Sequence, residues 1–214
     1  MIISHRYRFI FFAVPRTGTH SIRQALRPHL GANDWEQQAL NGRQSIPVPG
    51  IAALGHGHAG YRLLASHLPE NILDSYFKFA FVRHPFDRFV SACFFLHRGN
   101  DEFRERAAAY MKHLIRREPF RRRVLIVPQH LLLCDTRGQP ALNFIGRYET
   151  LQESFEEICR HIGIPAAQLP RENRTRHRGC EDYLDDELRN WAGDYYRKDF
   201  ELFGYDPQTL PVTV

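Results

Sequence analysis

The stretch FFAVPRTGTHSI, residues 11–22, decides how this chain reads. Phe9 to Val14 is an apolar run of buried-strand length, and Pro15, Thr17, Gly18 and Thr19 break it before an amphipathic stretch begins. That order predicts a strand, a tight turn and a helix whose N-terminus falls at Thr17–Ser21. At such a point unpaired backbone N–H groups and the positive end of the helix dipole attract an anion. Gly18 permits close backbone approach, Thr17, Thr19 and Ser21 carry hydroxyl donors, and Arg16 adds a full positive charge.

A second stretch, FKFAFVRHPFDRFVSACFF at 77–95, repeats the logic. Phe77 to Val82 predicts another buried strand, Arg83 ends it, and Pro85 stands where a helix favours its first residue. Phe86, Phe89, Val90, Cys93 and Phe94 fall on one helical stripe, which leaves Asp87 and Ser91 on a different face, so that Ser91 need not be core. A strand-end guanidinium and a hydroxyl eight residues later can grip one anion from two directions. The competing reading is a salt bridge from Arg83 to Asp87 beside a solvent-facing Ser91.

The third constellation is AALGHGHAGY, residues 52–61. An extended backbone here would put His56 and His58 on the same side, with Gly55, Gly57 and Gly60 admitting another backbone or a sugar. A neutral imidazole, with an unperturbed pKa near ~6.5, is matched to taking the proton of a hydroxyl. A His-x-His pair also suits a metal, but a metal needs at least a third ligand, which no Cys or Asp spacing here supplies. The plainest alternative is a pair of loop histidines bonded to backbone.

Taken together these motifs resemble the sulfotransferases that use 3′-phosphoadenosine 5′-phosphosulfate (PAPS), in particular the carbohydrate sulfotransferases of heparan and chondroitin sulfate and their bacterial relatives. VPRTGTHSI resembles the family's 5′-phosphosulfate loop, and Arg83 with Ser91 its 3′-phosphate element. FIGRYETLQESFEEICRHIGI at 144–164 and YRKDFELFGY at 196–205 carry the likeness over most of the chain. The resemblance implies a P-loop-like, three-layer α/β fold with a central parallel sheet flanked by helices. It assigns Arg16, Thr17, Gly18, Thr19, His20 and Ser21 to the 5′ end of the nucleotide and Arg83 and Ser91 to its 3′-phosphate. It makes His58 the general base ahead of His56. RENRTRHRG at 171–179 is similar to a late basic loop of the family, which would bring Arg176 and Arg178, with Gly179, to the 3′-phosphate or the substrate. The implied reaction moves a sulfuryl group from PAPS, without metal, to a hydroxyl of a carbohydrate or glycolipid and leaves adenosine 3′,5′-bisphosphate. Arg16 departs from the Lys common in the family, so its part is electrostatic rather than proton donation.

Two other classes, a kinase and a nucleic-acid-binding protein, fit the sequence less well. A P-loop kinase requires Gly, four residues, then Gly-Lys-Ser/Thr; here Thr19 follows Gly18 and the basic residue precedes it. A net charge of +5 and a pI near 9.2 admit nucleic acid, yet no recognisable module or basic-aromatic interleaving accompanies them, so no nucleic-acid partner is expected. With 214 residues and 43% hydrophobic content the chain can bury one substantial core, and alternating strand and helix patterns predict α/β layering in a single domain over 1–214. A helix is expected over Asp101–Glu118, with further strands at Val124–Val127 and Asn143–Tyr148. Cys93, Cys134, Cys159 and Cys180 show no paired spacing, which argues against a disulfide framework or a zinc site. Neither a signal-peptide core nor a membrane span is legible, and a bacterial cytoplasmic enzyme is the expectation.

Overall fold

Phe9–Phe12 and Phe77–Val82 form the two strands that their apolar runs predict, and nearly every residue in them is buried, as in a sheet covered on both faces. The computed structural model describes residues 1–37, 46–170 and 179–211. Its sheet has the order β3-β1-β2-β4-β5, with β1 Ile2–Ser4, β2 Phe9–Phe12, β3 Trp35–Glu36, β4 Phe77–Val82 and β5 Phe144–Arg147. Strands β2, β4 and β5 are parallel, with Phe12 opposite Ala80 and Val82 opposite Arg147. The antiparallel pairs β1–β2 and β1–β3 make the sheet mixed, parallel only at its centre and β5 edge. Strands of three and two residues are too short to leave a period in the sequence.

The chain divides into two compact units, Met1–Val82 with Gln129–Glu172, and Arg83–Pro128 with Asn173–Val214. In the first, Phe9, Phe11, Phe79 and Phe81 pack with Ile22 and Leu26 of helix α1 (Thr19–Leu26) and with Phe155, Ile158 and Ile162 of the helix Leu151–Ile162. Gly146 on β5 permits that packing. A Cβ there would lie 2.8 Å from both the Phe81 ring and Ser154 Cβ, inside van der Waals contact.

The second unit is built round the helix Pro85–Leu96, whose residues are buried on nearly every side. Phe94 meets Phe103 edge-on at 5.0 Å, and Phe86 meets Phe200 at 5.0 Å. Arg88 is fully buried in this core. Its guanidinium donates to the carbonyls of Leu125 (3.1 Å), Ile126 (3.3 Å) and Val127 (2.6 Å) and lies 5.4 Å from the Tyr196 ring centre. Val124–Val127 is therefore a turn, not the expected strand: Arg88 takes its carbonyls, and the Ile126 and Val127 N–H groups turn back to Arg123 O. The helix expected over Asp101–Glu118 is broken at Arg106 (φ −126°, ψ 36°) into Asp101–Glu105 and Ala107–Ile115. Its apolar stripe still faces inward, with Phe103, Ala107, Met111, Leu114 and Ile115 buried. No helix among the described residues is long and apolar enough to cross a membrane.

Candidate active site

β2 ends, as predicted, in a turn that opens a helix. Arg16 (φ 68°) and Gly18 (φ 76°) are both left-handed, the region that glycine enters freely and arginine enters at a cost. A Cβ on Gly18 would also come within 2.7 Å of Leu151 Cδ2. Thr17 is fully buried, and its hydroxyl donates to Val14 O at 2.9 Å, which makes it a clasp for the turn. Gly18 is the N-cap of α1, and the Ile22 N–H bonds its carbonyl at 3.1 Å as the first helical hydrogen bond. No side-chain cap bonds this end of α1, which begins at Thr19. The Ser21 hydroxyl donates to Pro170 O at 2.6 Å, next to the late basic segment. His20 Nε2 lies 2.8 Å from Gln24 Nε2.

The His-Gly-His stretch is a bend rather than an extended run, with Gly55 at φ 63° following the helix Pro49–Ala52. The imidazoles nevertheless lie together, their centres 5.8 Å apart, and the His58 N–H donates to His56 Nδ1 at 3.3 Å. His58 Nδ1 lies 2.7 Å from Ala13 O, at the end of β2. A carbonyl can only accept, so Nδ1 carries the proton and Nε2 keeps its lone pair. Burial pushes the His58 pKa down to about 3; the bond to Ala13 opposes this, while Met1's amine, Arg23 and His56 add to it. His56 is lowered as well, again mainly by burial.

Behind the pair stands a buried ionic cluster whose chemistry the sequence did not reveal. Arg23, on the inner side of α1, donates through Nη2 to the carbonyls of Gly57 and Gln37, each at 3.2 Å. Glu36 lies 3.9 Å from Arg23 Nε and accepts a two-point grip from Arg27, at 2.9 and 3.0 Å. Burial lowers the Arg23 pKa to about 10, partly offset by Glu36, so the guanidinium stays charged at neutral pH. Sequence spacing marks Arg23 only as a polar neighbour of Ile22; its partners are 14 and 34 residues away.

In the second unit Arg83 Nε donates to Asp87 Oδ2 at 2.7 Å, so the salt bridge read as an alternative is present. Arg83 is 7% exposed. Ser91 is 1% exposed, so the alternative of a solvent-facing Ser91 does not hold, because the helix is buried on more than its apolar stripe. Gly179 precedes a short 3₁₀ turn at Cys180–Asp182, and Arg178 lies outside the described residues. Among the described residues no group of three or more His, Cys, Asp or Glu is placed to hold a metal ion.

Comparison with known proteins bears on this arrangement. The family described as Sulfotransferase family matches residues 1–206. The chain is similar to carbohydrate sulfotransferase 11 of Rattus norvegicus, 25% identical over 232 residues that cover 87% of this chain and 65% of that protein. It is similar to the protein of the same name from Mus musculus at 24% identity and the same coverage. The chain thus spans about 65% of the length of these curated relatives. No solved structure matches.

Proposed function

We propose, from the premise that this chain belongs to the sulfotransferase family, that it moves a sulfuryl group from PAPS to a carbohydrate hydroxyl with His58 as general base. One observation carries the reading: the imidazole of His58 is fixed by Nδ1 to Ala13 O, three residues before Arg16 in the uncapped turn that opens α1. A proton-accepting lone pair and a helix start suited to an anion thereby share one strand end. These residues suit the donor's 5′ end, since backbone N–H groups and a guanidinium are the groups that hold phosphate oxygens. When bound, the donor supplies an activated sulfuryl group and adenosine 3′,5′-bisphosphate as its leaving group.

His58 Nε2 takes the hydroxyl proton. Arg16 stabilises the charge that develops at the 5′-phosphate and remains protonated, because a guanidinium is too weak an acid to give up its proton. Arg83 and Ser91 are assigned the 3′-phosphate and Arg178 and Gly179 a flanking contact, all by likeness to the family. The single sulfotransferase domain over 1–214 belongs to the same proposal. A carbohydrate acceptor is favoured by the names of the curated relatives.

The direct test is thermal unfolding with adenosine 3′,5′-bisphosphate, ADP, or ATP with Mg²⁺, because a ligand bound only to the native state raises Tm. Selective stabilisation by the 3′-phosphorylated nucleotide supports the reading; selective stabilisation by ATP with Mg²⁺ replaces it with a kinase. Arg16→Ala is expected to lower kcat by about 10²–10³-fold, as loss of one charge-stabilising donor does, with a much smaller loss of nucleotide affinity. Equal losses in turnover and in affinity, by calorimetry, would contradict its role.

The pH profile follows from His58. Neutral imidazole is the active form, and with a free-enzyme pKa held near 3 the acid limb of kcat/KM should fall well below pH ~6.5. Donor anion charge beside the loop favours the imidazolium, so the limb in kcat should lie at higher pH than that in kcat/KM. A kcat/KM limb at the unperturbed histidine value would sink this account. The linked stability has the same sign: below pH ~6.5 the unfolded chain takes a proton that native His58 refuses, so stability falls as pH drops towards 3.

A further inference from the structure

We propose that Arg23 is a positioning residue for this reaction, holding the His-Gly-His bend on helix α1 through the carbonyl of Gly57 and so setting where the His58 imidazole stands beside the anion turn. The inference rests on the His58 reading for its bearing on turnover, but its geometry stands alone. Gly57 is the residue between the two histidines, and it is buried. Its carbonyl accepts from Arg23 Nη2 at 3.2 Å, while the neighbouring His58 is pinned at its ring by Ala13 O at 2.7 Å. Arg23 on α1 and Ala13 after β2 thus hold the bend from the elements on either side of the Arg16–Gly18 turn, together with the chain's first residue, Met1.

A glycine bend with a left-handed residue two positions earlier has little stiffness of its own, so distant contacts must hold it. Arg23 does this with a charge that is itself held: the same Nη2 reaches Gln37 O, and Glu36, clamped by Arg27, lies beside Nε. Met1 N also donates to Gly57 O, at 2.6 Å. The charged and titratable groups acting on His58 are Met1's amine, Arg23 and His56. Of these, Arg23 alone lies on α1.

The test compares Arg23→Met, which keeps the stem and loses the donors, with Arg23→Lys, which keeps the charge. Long-range ¹H–¹⁵N spectra of the histidine rings report the His58 tautomer and its titration without any turnover. Wild type is expected in the Nδ1–H form; Arg23→Met should populate both tautomers and raise the His58 pKa, and Arg23→Lys should restore most of the wild-type pattern. In kinetics Arg23→Met should lose up to about 10²-fold in kcat, the scale of a ~1 Å misplacement, with the Kd for adenosine 3′,5′-bisphosphate nearly unchanged.

Unchanged His58 spectra in Arg23→Met would overturn the proposal, whatever the activity. So would parallel losses of kcat and nucleotide affinity, which mark general damage to the fold. Altered spectra combined with full turnover of His58→Ala would leave Arg23 as the holder of the bend and refute the base assignment instead.

Discussion

His58→Ala is expected to lose about 10²–10⁴-fold in kcat, the usual contribution of a positioned general base, while keeping its thermal response to adenosine 3′,5′-bisphosphate. The two readouts separate because the groups assigned to the nucleotide, the 16–21 turn with Arg83 and Ser91, do not include the imidazole. The loss falls on kcat because the proton moves only in the transition state. Added imidazole should restore part of the activity by entering the space the ring leaves. His56→Ala is expected to be milder. His56 Nδ1 accepts the His58 N–H, so its removal loosens the bend without removing the base. Full turnover in His58→Ala, or a deeper loss in His56→Ala than in His58→Ala, would move the role to another group.

Arg88→Ala should be the most destabilising single change in the second unit, by roughly 3–5 kcal/mol, the range for breaking a buried charged network and leaving its partners unpaired. The guanidinium satisfies three successive carbonyls at 125–127, and Tyr196, whose hydroxyl donates to Ile126 O at 2.7 Å, would retain only one of them. Truncation also leaves a cavity beneath the Tyr196 ring. Arg88→Met fills most of that volume and should cost less; the difference between the two separates packing from hydrogen bonding. The chain has two tryptophans, and Trp191 lies in this unit, 5.3 Å from Phe89. Denaturant unfolding followed by Trp191 fluorescence in a Trp35→Phe background reads the effect. A change under about 1 kcal/mol, the level of a surface substitution, would show that the buried guanidinium is not needed by the turn.

The strand, turn and helix start that carry the candidate site were legible because their signals are local. A strand, a turn and a helix start leave an apolar run, a glycine and a change of period within a dozen residues, and Arg16, Gly18 and Thr19 stand in the chain in the order in which they stand in the turn. Gly18 proved to need its φ of 76°, and Phe77–Val82 and Phe144–Arg147 proved to be strands. The same local signals misled where burial is set from a distance. A periodic stripe identifies one face of the helix Pro85–Leu96 and is silent about whether the other face is also covered, so it reveals the burial of neither Ser91 nor Arg88.

The sequence by itself determined that the chain alternates strand and helix and that one strand runs through a glycine turn into a helix, because backbone preference and hydrophobic period act over a few neighbouring residues. It also brought His56 and His58 into one short segment. Only the tertiary structure decided which nitrogen of His58 carries the proton, what holds its bend, and that Val124–Val127 turns instead of extending. Those outcomes depend on hydrogen bonds accepted by Ala13 O and donated by Arg23 and Arg88 that span 34 to 45 residues, and a buried polar group takes whichever distant partner the fold supplies.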